Sequence, residues 1–178
     1  MLKVPISSTD HIQGLPNAPV TLVEYGDYEC PHCGMAHPIV KLVQKHFGKK
    51  LRFVFRHFPL SQVHPNAQGA AETAEFAGAH NRFWDMHDGL FENQDRLSPP
   101  LFVALAAALG LSDVELREAL LTRKFAPKVR EDFLGGVRSG VNGTPTFFIN
   151  NHRHDGSYAL EELAAAIQSS LYAEAPLR

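Results

Sequence analysis

The two cysteines of this chain stand together as Cys30-Pro31-His32-Cys33. Thiols separated by two residues in the first turn of a helix can close a disulfide with little backbone movement, so the pair can cycle between dithiol and disulfide. A crosslink this short hardly restricts the unfolded chain, which makes a stabilising role the weaker reading. At a helix N-terminus Cys30 meets unsatisfied backbone N–H groups and the positive end of the helix dipole, both of which favour a thiolate. His32 can donate to that thiolate or, when protonated, pair with it. Pro31 presets the turn and withholds a competing N–H. Cys30 is therefore read as the nucleophile and Cys33, one turn deeper, as the resolving thiol. Cys30, His32, Cys33 and His37 also invite a zinc reading, since Cys and His are common ligands at short spacing. Proline between the ligands and the absence of a second Cys pair argue for redox chemistry instead, which needs neither a metal nor an organic cofactor.

The elements around the motif follow from patterning. Val20 to Tyr25 is apolar on both alternating faces, as in a strand covered on both sides and central in its sheet. Met35 to Phe47 reads as a helix ended by Gly48, and Leu51, Phe53 and Phe55 alternate with Arg52, Val54 and Arg56 as a second strand. Strand, helix, strand at this spacing suits a parallel βαβ unit. From about Asn66 to Gly140 the chain is helical. Ser98 before Pro99, and Ser112 to Glu115, mark helix starts. Gly143 to Asn150 returns to strand character, Asn150-Asn151 makes a tight turn into a short strand through His154, and Leu160, Leu163, Ala164, Ile167 and Leu171 form a helical stripe.

At 178 residues and 44% hydrophobic content the chain can bury one sizeable core. Its net charge of −2 is interspersed, with no basic stripe, which sets nucleic acid aside as a partner. The longest apolar run, Leu101 to Leu111, is about half of the roughly 20 residues that a membrane helix requires, so no membrane span is expected. Met1 to Val20 holds Pro5, Asp10, Gly14, Pro16 and Pro19 without a continuous apolar region, and the expectation is cytoplasmic, or periplasmic if a leader has been removed. His57, His64, His80, His87, His152 and His154 are read as surface or helix-end residues. Phe83, Trp84 and Phe91 are read as core of the helical segment, while Met35 and Phe58 are candidates to line an apolar substrate groove.

These features together resemble the DsbA-like thiol–disulfide oxidoreductases of the thioredoxin superfamily. Cys30-Pro31-His32-Cys33 is identical to the DsbA motif, Gly143-Thr144-Pro145-Thr146 resembles the loop before the second strand pair, and Phe83 to Phe91 resembles a segment of the helical insertion. The resemblance covers about Val20 to Leu171 and is nearest to shorter DsbA-like domains, including those appended to some sodium/proton antiporters. It implies an α/β, thioredoxin-like fold with a helical insertion: one domain over 1–178, with thioredoxin-like portions at about 15–62 and 141–172 and the insertion at about 63–140. It further implies that Pro145 is a cis-proline facing the cysteines, although most X-Pro bonds are trans. Thr144 would then line the substrate site and tune the thiolate through its hydroxyl. Glu24 would be a buried acid beneath the site, desolvated with raised pKa and exchanging protons with Cys33; pairing with Arg52 or Arg56 is the alternative. The implied partners are protein or small-molecule thiols and disulfides and an unidentified redox partner. The competing function is a redox-sensing or metal-binding module without turnover.

Overall fold

The computed structural model describes residues 1–173. Its sheet has five strands: β1 (His11–Gln13), β2 (Val20–Gly26), β3 (Leu51–His57), β4 (Thr146–Ile149) and β5 (His152–His154), in the spatial order β1-β3-β2-β4-β5. The seven helices are α1 (Pro31–Phe47), α2 (Ala67–Gly78), α3 (Phe83–Glu92), α4 (Pro99–Ala108), α5 (Asp113–Leu121), α6 (Ala126–Arg138) and α7 (Leu160–Ala173). β2 is the middle strand, buried along its whole length, parallel to β3 and antiparallel to β4. This is the mixed α/β, thioredoxin-like architecture that the resemblance implies.

Alternation along the strands divides the core in two. Val20, Leu22, Phe53, Phe55, Phe147 and Ile149 face one side, where Cys33, Ala36, Val40 and Val43 of α1 and Leu163 and Ile167 of α7 cover them. Val23, Tyr25, Val54 and Phe148 face the other, against Phe58, Val141 and Phe133 of α6. The helices between β3 and β4 extend the first core through Phe83, Met86, Leu90 and Phe102. Pro31 opens α1, the helix runs on through Pro38, and Gly48 closes it with a positive φ of 50°. Ser112 caps α5 by accepting from the Glu115 N–H at 3.2 Å. Asn150 and Asn151, at φ 44° and 70°, turn β4 into β5.

Three particulars differ from the sequence reading. β1 is a strand that patterning alone does not reveal; it pairs antiparallel with β3. It is held there by polar contacts: Asp10, next to it, takes a two-pronged bond from buried Arg56 at 2.7 and 2.9 Å. His57 and His87 are buried rather than at the surface. His57 Nε2 donates to Glu75 Oε1, which also accepts from His11 Nε2, both at 2.8 Å, and His87 Nδ1 lies 3.0 Å from the Tyr28 hydroxyl. Finally, Phe58 lines no substrate groove: it is buried and stacked on Phe133 at a ring separation of 4.4 Å, whereas Met35 is 53% exposed beside the cysteines.

Candidate active site

The cysteine motif sits where the central strand hands over to α1. After Gly26 the chain turns through Asp27-Tyr28-Glu29, the Cys30 N–H donates to the Asp27 carbonyl at 3.2 Å, and Cys30 becomes the N-cap of α1. Pro31 takes the first helical position, where its missing N–H costs nothing. The turn is pinned by Asp27, whose buried carboxylate accepts from the Glu29 N–H at 2.7 Å and from Leu60 N–H and His64 Nδ1, each at 2.8 Å. The Asp27 N–H donates to Cys33 Sγ at 3.4 Å.

Both cysteines are free thiols, and their environments separate them. Cys33 is fully buried, and that burial pushes its pKa well above the usual thiol value, with Cys30 and Glu24 adding to the rise. Cys30 keeps 5% of its surface, and its Sγ donates to the Thr144 carbonyl at 3.3 Å. The hydrogen bond from the Cys33 thiol is the largest influence on it. Thr144 and the backbone N–H groups of Cys33 and His32 act with that bond against the cost of burial, and the pKa falls to about 5. The Thr144 hydroxyl is buried and unpartnered among the described residues while Cys30 is a thiol, so ionisation of Cys30 supplies it with an acceptor. The Thr144–Pro145 peptide is cis.

Glu24 lies on the α1 side of β2, 2% exposed, with Oε1 unpartnered among the described residues. Burial first, and the charge of Cys30 second, raise its pKa to about 8. Neither arginine neutralises it: Arg52 bonds Thr21 Oγ1 and the Pro16 carbonyl, and Arg56 bonds Asp10, Tyr25 and the carbonyls of Val4 and Pro5. The site residues named from sequence, Glu24, Cys30, Pro31, His32, Cys33, Thr144 and Pro145, thus fall at the junction of β2, α1 and the segment entering β4.

Two further residues belong to this junction and carry no motif. Gln94, just after α3, donates through Nε2 to the carbonyls of Tyr28 and Cys30 at 2.8 and 2.9 Å and so ties the helical segment to the cysteine turn. Its side chain occupies the space beside Gly34, where an added Cβ would lie 2.2 Å from Gln94 Oε1. Gly34→Ala is therefore expected to turn the Gln94 side chain away and cost its two bonds to the Tyr28 and Cys30 carbonyls, about 1–2 kcal/mol, against about 1 kcal/mol gained in helix propensity, so that unfolding stability falls by no more than about 1 kcal/mol; urea denaturation of reduced protein measures it. Tyr158, between β5 and α7, brings its hydroxyl to 2.9 Å from His32 Nδ1. Only contact across a distant loop reveals either residue, and local spacing carries no trace of it.

Among the described residues, the groups of three or more donors close enough to share an ion are His11, His57 and Glu75, and His37, His87 and Asp88. Neither includes a cysteine. In the first group Glu75 already accepts from both imidazoles, and these bonds, after offsetting its burial, hold its pKa far below the usual range.

Comparison with known proteins agrees with this geometry. A thioredoxin family model matches residues 7–169. The chain is 48% identical over 170 residues to the Na(+)/H(+) antiporter NhaA 1 of Salinispora arenicola, covering 95% of this chain and 26% of that protein. It is 35% identical over 171 residues to NhaA of Herminiimonas arsenicoxydans, covering 96% and 27%. The chain thus spans about a quarter of the length of the curated relatives it matches, and no described helix is long and apolar enough to cross a membrane. Oxidised BdbD of Bacillus subtilis superposes with a TM-score of 0.83 at 28% identity, covering 90% of this chain and 92% of that one. Wolbachia pipientis alpha-DsbA1 shares the fold at a TM-score of 0.83 and 22% identity, covering 97% and 95%.

Proposed function

The chain belongs to the thioredoxin family, in the DsbA-like form of its fold, and from that premise we propose that it is a thiol–disulfide oxidoreductase working through a mixed disulfide at Cys30. The observation that carries this reading is the division of labour between the two sulfurs: Cys30 is a thiolate at neutral pH and borders the surface, while Cys33 is buried and protonated beside Glu24.

In the reducing direction the Cys30 thiolate attacks one sulfur of a substrate disulfide. A bond forms between the two, and the other substrate sulfur leaves as a thiolate that takes a proton from solvent. Cys33 then gives its proton to ionised Glu24 and attacks Cys30 Sγ; the Cys30–Cys33 bond forms and the first substrate sulfur leaves as a thiolate. The protein loses two electrons and the substrate gains them. The oxidising direction is the reverse, with a substrate thiolate attacking Cys30 of the disulfide form and Glu24 returning the proton to Cys33. Glu24 suits this task because a pKa of about 8 lets it exist in both states near neutrality. Thr144 and Pro145 form the opposite wall, where an extended substrate lies against the sulfur pair. Protein or small-molecule thiols and disulfides are the substrates, and a separate redox partner resets the pair.

Direction follows from the reduction potential against the compartment's. A gap of about 100 mV is worth roughly 4–5 kcal/mol for two electrons, so the same pair acts as an electron donor in a reducing cytoplasm and as an oxidant in a periplasm. Catalysed reduction of insulin by dithiothreitol, and oxidation of a reduced peptide, test the activity. Turnover in either is expected, and stoichiometric thiol oxidation without turnover in both would leave only a sensing module.

A further inference from the structure

Spacing alone suggests that His32, sitting between the two cysteines, acts on the Cys30 sulfur through its ring. The structure gives the ring another partner. Its Nδ1 lies 2.9 Å from the Tyr158 hydroxyl, and the two rings meet edge to face at 6.3 Å. The Cys30 thiol meanwhile donates to the Thr144 carbonyl, and His32 acts on the ionised sulfur through its backbone N–H. Tyr158 is well placed to hold an exposed imidazole. Its own ring is half-buried against the main core, and its loop is fixed on both sides. The Ser157 N–H donates to Glu162 Oε2 at 3.0 Å, Ser157 Oγ accepts from the Ala159 N–H at 3.0 Å, and His154 Nε2 donates to the Ser157 carbonyl at 2.9 Å.

We propose that Tyr158 is a positioning residue that holds the His32 imidazole off the Cys30 sulfur and thereby moderates the oxidising strength of the cysteine pair. The inference rests on the reading of Cys30 as the nucleophile and deepens it: the motif supplies a cation source beside the thiolate, and a residue 126 positions away restrains its use. A released ring, when protonated, is drawn to the thiolate, which stabilises the dithiol form because closing the disulfide removes the charge. A protein whose reduced form is favoured is the stronger oxidant. Tyr158 thus sets the pair below the oxidising power that its motif allows.

Tyr158→Phe keeps the ring in the core and removes only the hydroxyl. One hydrogen bond's worth of restraint corresponds to a change of about three- to tenfold. The variant is expected to lower the Cys30 pKa by about half to one pH unit, read as thiolate absorbance against pH. The glutathione equilibrium should move toward the dithiol by the same three- to tenfold. In a His32→Ala background both effects should vanish, since there is no ring left to release. The nitrogen-15 shift of His32 Nδ1 should change in Tyr158→Phe, which reports the bond directly. The inference is overturned if the Cys30 pKa stays put or rises, if the same change appears without His32, or if the His32 Nδ1 signal is indifferent to the hydroxyl. Thiolate absorbance needs only the folded dithiol protein, so failure in the insulin and peptide assays would sink the proposed activity while the role of Tyr158 could still be decided.

Discussion

Cys30→Ser is expected to abolish disulfide exchange, whereas Cys33→Ser should accumulate a mixed disulfide that it cannot resolve. The contrast follows from the two environments. At pH 6 a thiol of pKa about 5 is roughly nine-tenths ionised, and Cys33, pushed above the ordinary thiol range, is almost wholly protonated. Iodoacetamide at that pH should label Cys30 and spare Cys33, as read by mass spectrometry of digests. Because the Cys33 thiol is also the strongest influence lowering the Cys30 pKa, Cys33→Ala should raise that pKa more than Cys33→Ser, whose hydroxyl can still donate. Preferential labelling of Cys33, or a resolvable mixed disulfide in Cys33→Ser, would reverse the two roles.

The second large effect concerns Glu24, where stability and turnover should move in opposite directions. Its folded pKa of about 8 lies above the ordinary glutamate value of 4.5, so folding favours the protonated form. Below about pH 4.5 the carboxyl is neutral in both states and its ionisation costs nothing. As pH rises the unfolded chain ionises first, and the penalty of keeping Glu24 buried grows until the folded group also ionises near pH 8. Glu24→Gln is therefore expected to match wild type near pH 4 and to be more stable at pH 7, by on the order of 3 kcal/mol at most. Urea unfolding of the reduced proteins across this range gives the difference. The same variant should resolve mixed disulfides more slowly, since Cys33 loses its proton acceptor. A stability difference that does not grow between about pH 4 and pH 8 would contradict the buried, proton-holding state of Glu24.

Legibility in the sequence tracked how local each signal was. The cysteine turn, the buried β2, the capping of α5 by Ser112 and the Asn150-Asn151 turn each carry their signal within a few residues of sequence, and patterning finds them. Resemblance extended this to Thr144, Pro145 and Glu24, whose meaning depends on a fold that brings positions 24, 30 and 144 together. β1 escaped because three residues offer no periodicity and its attachment is polar, through Asp10 and Arg56. His57 and His87 escaped because a histidine's burial is decided by a distant partner, Glu75 in one case and Tyr28 in the other. Gln94 and Tyr158 act on the first turn of α1 from 64 and 126 residues away, and nothing near either marks it.

The strand order β1-β3-β2-β4-β5 gives the two walls of the cleft different lifetimes. The sulfurs sit at the start of α1, just past the end of β2, and β2 is bonded on both edges and buried throughout, so its amides should exchange with deuterium only when the whole molecule unfolds. The facing wall belongs to the outer hairpin: residues 140–145 precede β4, and Tyr158 follows β5, a three-residue edge strand. Amides there should take up deuterium through small local openings. An extended partner laid against Thr144 would then slow uptake on that wall alone. Cys30 and Cys33 would keep their alignment while the surface opposite them accommodates chains of different shape.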